Sequence, residues 1–69
     1  MLGTVEGYNE ETKVGYITGF DDLLYFFRER EVNGNISLKK NDIVKFDYII
    51  ENREELPIAI QIEKRNKNE

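Results

Sequence analysis

The chain has 69 residues, no cysteine, no histidine and a formal net charge of −4. This length predicts one small domain. The missing residue types exclude a disulfide framework, a thiolate metal site and histidine-based acid–base catalysis. The apolar runs are far shorter than the ~20 residues of a membrane-spanning helix, and the N-terminus carries no secretory signal. We therefore expect a soluble cytoplasmic protein with no membrane partner.

The charge is distributed unevenly along the chain. Residues 1–35 carry seven acidic and three basic side chains, whereas residues 36–69 carry seven of each. Binders of duplex DNA usually show the opposite balance, because they neutralise phosphates. Binders of single strands depend less on charge, since each base stacked on an aromatic side chain contributes about 1–3 kcal/mol.

Four segments alternate between apolar and polar residues as β-strands do. The first is expected to bury Val5 and the second Ile17, with Val14 and Tyr16 outward. Pro57 directly precedes the last one, a position that a strand tolerates. In chain order these predicted strands are residues 2–8, 14–18, 43–50 and 58–62.

The segment DDLLYFFRERE, residues 21–31, fits two structures. As a helix it would begin at Asp22, carry Leu23, Phe26, Phe27 and Arg30 on one face, and end at Asn33-Gly34. As a strand it would bury Leu24 and Phe26 and expose Tyr25 and Phe27. Periodicity does not decide between them, but the aromatic content favours a strand.

With a strand at 21–31, the chain is all-β with five antiparallel strands. In so short a chain such a sheet closes most economically into a small barrel, because closure removes exposed edges. We assign residues 1–62 to this domain and residues 63–69, EKRNKNE, to a polar C-terminal tail.

The acidic pairs Glu10-Glu11 and Asp21-Asp22 are the remaining candidates for chemistry. Both lie in predicted turns, where such residues favour the backbone geometry, and adjacent strand residues point to opposite faces. We therefore expect no catalytic residue, no metal site and no cofactor.

Five segments in order resemble the cold-shock domain. They are GTVEGYN (3–9), TKVGYI (12–17), LYFFR (24–28), LKKNDIVKFD (38–47) and PIAIQI (57–62). The family patterns at these places are G-x-V-K-W-F-N, K-G-F-G-F-I, V-F-V-H-F, L-x-x-G-x-x-V-x-F-x and P-Q-A-x-N-V. Each match is weak alone, but their order and spacing cover residues 2–62. The resemblance implies a five-stranded OB-fold barrel, with a strand over residues 24–28.

The resemblance also implies a function, namely binding of single-stranded RNA or DNA by an RNA chaperone or a regulator of transcription or translation. Tyr16, Tyr25 and Phe27 would stack on bases, with Tyr8 beside them. The same alignment implies apolar contact from Val14 and phosphate contacts from Lys13 and Arg28. A register shifted by one residue would put Phe26 on the second motif's first Phe, but strand alternation with Leu24 and Phe26 in the core favours the first register.

The chain departs from the family pattern at several of these places. Gly7 replaces the family's Trp, Val14 replaces a Phe, and Glu6 replaces a Lys. Thr12 and Lys13 stand where the family has Lys and Gly, and Phe27 and Arg28 where it has His and Phe. The expected binding surface is thus less aromatic and more acidic than the family's.

A second hypothesis follows from these departures: a protein-interaction module on the same barrel. Val14, Tyr16, Tyr25 and Phe27 would form an apolar centre with Glu6, Glu10 and Glu11 around it. Such a surface would suit a basic protein partner or weak self-association.

Overall fold

The computed structural model describes residues 1–34 and 37–65 and contains five β-strands. These are β1 (Leu2–Asn9), β2 (Val14–Gly19), β3 (Leu24–Arg28), β4 (Ile43–Ile49) and β5 (Ile58–Lys64), with a 3-10 helix at Glu29–Glu31 after β3. Residues 21–31 therefore contain a strand, as the aromatic content indicated. Within the described residues, no helix is long and apolar enough to cross a membrane.

The strands close into a barrel in the order β1-β2-β3-β5-β4. Four neighbouring pairs are antiparallel. The closing pair, β3 with β5, is parallel, with Phe26 opposite Ile58. The expected five-stranded barrel is confirmed, except that its closing pair departs from the all-antiparallel layout.

The C-terminal boundary lies later than expected. Glu63 and Lys64 belong to β5 and pair with Lys45 and Val44 of β4. The N–H of Arg65 donates to the carbonyl oxygen of Ile43 at 2.9 Å. Residues 66–69 of the predicted tail lie outside the described residues.

One apolar core fills the barrel. Val5 and Ile17 are fully buried, as expected from alternation in β1 and β2. Phe46 of β4 is also buried and packs against Tyr25 of β3. The core consists of Val5, Ile17, Tyr25, Phe27, Leu38, Val44, Phe46, Ala59 and Ile62.

The expected orientation of β3 is wrong by one residue. Tyr25 and Phe27 are buried, at 1% and 0% exposure, whereas Leu24 is 40% exposed and Phe26 is half-buried. Because LYFF is apolar at every position, alternation does not distinguish its two faces.

The neighbouring strand explains this orientation. Directly opposed residues of an antiparallel pair point to the same side, and Phe27 is opposite Gly15. A Cβ on Gly15 would lie 2.7 Å from Cζ of Phe27, so the phenyl ring occupies the space that glycine leaves free. The small inward residue on β2 thus requires a large inward residue on β3.

The hydroxyl of Tyr25 has a partner although its ring is buried. The Tyr25 O–H donates to Oδ2 of Asp21 at 2.7 Å. The centroid of the Tyr25 ring lies 5.0 Å from that of Phe46 and 5.2 Å from that of Tyr48. Burial, followed by the bond to Asp21, raises the pKa of Tyr25 to about 12. The same bond lowers the pKa of Asp21. This pair lets a tyrosine serve as a core residue, since its polar end is satisfied at the barrel surface.

Candidate nucleic-acid interface

Strands β2 and β3 together present one continuous outer face. Three directly opposed pairs form it: Val14 with Arg28, Tyr16 with Phe26, and Thr18 with Leu24. We call these six residues the β2–β3 outer face. Their side chains alternate with the buried ones on each strand, so the core residues beneath fix their positions.

An aromatic pair lies at the centre of this face. The rings of Tyr16 and Phe26 have centroids 5.8 Å apart and cross at 61°. The Arg28 guanidinium carbon lies 5.4 Å from the centroid of the Phe26 ring, in cation–π range. Tyr16 is 43% exposed, so part of this pair is available to a planar ligand.

An open groove of about 240 Å³ adjoins the aromatic pair. Pockets for drug-sized ligands typically measure roughly 300–1,000 Å³, so this groove suits a smaller group. Besides Tyr16, Phe26 and Arg28, it is lined by Ile58 at the start of β5 and by three residues of the β4–β5 loop: Glu51, Glu55 and Leu56.

Three of the predicted site residues lie together on the β2–β3 outer face: Val14, Tyr16 and Arg28. Tyr16 and Arg28 also line the groove.

The ion pairs within residues 1–34 and 37–65 are Lys13–Glu29, Arg30–Glu31 and Lys64–Asp42. Arg28 therefore has no carboxylate partner in the described part of the chain.

Lys13 lies beside this face, at the end of the β1–β2 turn. Its φ of 64° is in the left-handed region that favours glycine, which agrees with the glycine found there in the cold-shock pattern. Its Nζ lies 3.9 Å from Oε2 of Glu29, and both side chains are exposed. Exposed pairs of this kind contribute little, so the lysine remains able to contact phosphate.

Tyr25 and Phe27 are absent from the interface, contrary to the prediction. Both rings belong to the core, and a buried ring offers no face to a base. Phe26, which was expected in the core, takes the place of Phe27 as the aromatic partner of Tyr16.

Tyr8 also lies apart from the outer face. It is opposite Gly15 and stacks on Phe27, with centroids 6.0 Å apart and an interplanar angle of 9°. Partial burial and, secondarily, Glu29 raise the pKa of its hydroxyl. Tyr8 therefore closes one end of the core.

Sequence reasoning missed Phe26 and the loop residues Glu51, Glu55 and Leu56. The sequence did contain a signal for Phe26. An inward Gly15 leaves space for a large inward side chain opposite it, which is Phe27, and the adjacent residue Phe26 must then point outward. No signal existed for the loop residues, because an alternating strand pattern does not indicate which strands a loop will lie beside.

The structure contains no cluster of three or more metal-ligating side chains among the residues that it describes.

Comparison with known proteins supports the fold. No protein-family model and no curated protein matches the sequence. The solved structure of Drosophila Unr CSD456, a cold-shock-domain protein, is similar, with a TM-score of 0.78 and 26% sequence identity. The match covers 97% of this chain and 27% of the Drosophila chain, so this chain spans about a quarter of the length of the chain in that structure. The chain thus has the OB-barrel fold of a cold-shock domain, which is a nucleic-acid-binding module.

Proposed function

We propose that this protein binds single-stranded RNA or DNA by stacking bases on Tyr16 and Phe26. The observation that carries the proposal is the position of this partly exposed aromatic pair, at the centre of the β2–β3 outer face of a cold-shock-type barrel. Proteins that bind single strands combine such aromatic surfaces with cations that contact the backbone.

Five side chains of the face, together with Lys13, have separate parts in this mechanism. Tyr16 and Phe26 stack on neighbouring bases, and Arg28, held over Phe26, extends the stacking surface or contacts phosphate. Val14 and Leu24 add apolar contact at either end. Lys13, beside the Val14 end, contacts a phosphate.

Binding through base faces has a functional consequence. Bases held on the barrel are unable to pair, so the protein would keep RNA single-stranded, as an RNA chaperone or a regulator of transcription or translation in the cytoplasm does. The affinity would be modest, because two exposed or half-buried aromatic rings and two cations make a small interface.

A second candidate function is recognition of a basic protein surface. Glu51 and Glu55 in the groove favour it, because they repel phosphate and attract cations. The apolar patch first expected for this role is smaller than predicted, since Tyr25 and Phe27 are buried.

The two functions separate in a binding titration. Labelled oligothymidylate and oligouridylate are titrated with wild-type protein and with Tyr16→Ala and Phe26→Ala, and binding is followed by fluorescence anisotropy. Each substitution is expected to raise Kd about fivefold or more, because one stacked base contributes about 1–3 kcal/mol. Phe20→Ala is the matched control, since Phe20 is 60% exposed but lies in the β2–β3 turn, away from the groove.

A gain-of-function variant strengthens the test. Gly7 is opposite Tyr16, and a Cβ on it would meet no atom within 4 Å. Gly7→Trp therefore adds an aromatic ring beside Tyr16 and is expected to lower Kd severalfold. Absence of binding by wild-type protein at low salt, or equal binding by all variants, would overturn the proposal and favour the protein partner.

A further inference from the structure

The groove beside Tyr16 and Phe26 contains hydrogen-bonding groups of two opposite kinds. Arg28 supplies only donors, and the carboxylates of Glu51 and Glu55 are acceptors only. Arg28 forms no ion pair with any carboxylate among the described residues. Both kinds of group are therefore available to a ligand in the groove.

The four bases differ in how they match such a groove. Guanine presents two adjacent donors, N1–H and the 2-amino group, on its Watson–Crick edge, and two acceptors, O6 and N7, on its Hoogsteen edge. Thymine and uracil present a single N–H between two carbonyl oxygens. A carboxylate placed at this edge would repel the two oxygens, because all of these groups are acceptors. Arginine is the commonest partner of guanine O6 and N7. Adenine and cytosine each present one amino group beside their acceptors, so only guanine offers a carboxylate two adjacent N–H donors and also presents acceptors for the guanidinium.

We infer that the groove selects guanine over thymine or uracil, with Glu51 and Glu55 accepting from N1–H and the 2-amino group and Arg28 donating to O6 or N7. This inference rests on the proposed function, since it assigns the base that occupies the groove while a neighbouring base stacks on Tyr16 and Phe26. Protein groups commonly read the Watson–Crick and Hoogsteen edges of bases in single strands.

The inference also accounts for acidic residues at an interface for a polyanion. A carboxylate near phosphates lowers affinity for every strand, so an acidic groove that only stacked bases would be a disadvantage. Bonds from guanine offset that repulsion, whereas thymine and uracil offer no equivalent. Glu51 and Glu55 thus discriminate against the wrong base as well as binding the right one.

The test compares DNA oligonucleotides of one length by anisotropy at low salt. One strand is all thymine, and three alternate thymine with guanine, adenine or hypoxanthine. The guanine strand is expected to bind about fivefold more tightly than the all-thymine strand. Hypoxanthine differs from guanine only in lacking the 2-amino group, so its strand is expected to lose most of this advantage. Adenine controls for purine stacking.

Variants identify the residues responsible. Glu51→Gln and Glu55→Gln are each expected to reduce the guanine-to-thymine ratio of affinities. Glu54→Gln removes the same charge from the same loop but from a residue that does not line the groove, and is expected to preserve the ratio. Removing a negative charge raises the affinity for the guanine and thymine strands alike, so this general gain does not change the ratio of the two affinities.

The outcomes separate this inference from the proposed function. Equal binding of thymine and guanine strands overturns base selection and leaves single-strand binding intact. A guanine preference that hypoxanthine retains, or that all three glutamine variants retain, also overturns it, because stacking alone would then explain the preference. Failure of every strand to bind overturns the proposed function, and base selection with it.

Discussion

At the scale of single residues, the orientation of β3 decides which aromatic side chains meet a ligand. Tyr25, Phe26 and Phe27 are adjacent, yet the first and last are core residues and only the middle one lies outside. A shift of one residue along a strand moves every side chain to the opposite face. The candidate site therefore depends on Phe26, although Phe27 is of the same type and lies next to it.

Two Phe→Ala substitutions at adjacent positions are expected to affect different properties, one mainly stability and the other mainly binding. Phe27→Ala removes a fully buried ring and is expected to lower the free energy of unfolding by about 3–5 kcal/mol. That is enough to unfold much of so small a domain. Phe26→Ala removes an outward ring and is expected to cost about 1 kcal/mol or less, while weakening oligonucleotide binding.

Urea unfolding followed by circular dichroism measures both changes. Tyr48→Ala is a useful third variant, because Tyr48 is 46% exposed yet contacts Tyr25, so an intermediate loss is expected. Equal losses for Phe26→Ala and Phe27→Ala would contradict the orientation of β3.

At the scale of strands, two glycines have different roles in positioning β1 and β2. A Cβ on Gly15 would lie 2.5 Å from the carbonyl oxygen of Gly7 and 2.7 Å from Cζ of Phe27. Gly7, by contrast, has open space on its outer side. The register between β1 and β2 shifts between Val5 and Gly7, which places Gly7 opposite Tyr16. Gly15 thus maintains close packing, whereas Gly7 leaves part of the outer face empty.

Alanine substitutions of these glycines form a matched pair. Gly15→Ala is expected to lower stability by about 1–3 kcal/mol, because overpacking against backbone is difficult to relieve. Gly7→Ala is expected to leave stability unchanged or to raise it by up to about 1 kcal/mol, because the unfolded chain loses freedom.

Thermal unfolding distinguishes these effects, since 1 kcal/mol shifts the Tm of a domain of this size by about 4–8 °C. A Gly15→Ala variant with the wild-type Tm would show that the contact between β1, β2 and Phe27 is looser than the structure indicates.

At the scale of the whole molecule, net charge limits how the protein can bind a polyanion. The chain carries −4 overall. Lys13 and Arg28 supply positive charge at the outer face, but Glu51 and Glu55 lie close by in the groove. The proposed binding would therefore come mainly from stacking and hydrogen bonds, which depend weakly on salt.

We expect a shallow salt dependence. On an all-thymine strand, where Arg28 has no guanine to bind, Lys13 and Arg28 can each neutralise one phosphate, and the affinity then falls roughly sevenfold between about 50 and 200 mM salt. Proteins that make many phosphate contacts lose a factor of about 10³–10⁵ over the same range.

Anisotropy titrations of one oligonucleotide at several salt concentrations give the slope directly. Lys13→Gln is expected to make the slope shallower by about 0.7, the value for one phosphate of a single strand. A steep slope for the wild type would contradict binding dominated by stacking.

Local patterns in the sequence were sufficient to predict four of the five strands and a small β-barrel. Alternation in residues 2–8, 14–18, 43–50 and 58–62 placed four strands within a few residues of their observed bounds, and correctly buried Val5 and Ile17. These features depend on local pattern, which a single strand carries. Val14 and Tyr16 were located on the correct face for the same reason. Arg28 was expected at the site only from the family resemblance, because the predicted orientation of β3 would have turned it inward with Leu24 and Phe26.

The composition of the candidate site, by contrast, depends on contacts that form only when the chain folds. The face of LYFF that is buried depends on Gly15, a residue of another strand, because LYFF itself is apolar on both sides. Likewise, Glu51 and Glu55 adjoin Tyr16 only because β4 and β5 close the barrel and bring their loop beside β2 and β3. Both features depend on contacts between residues distant in sequence, which no local periodicity records.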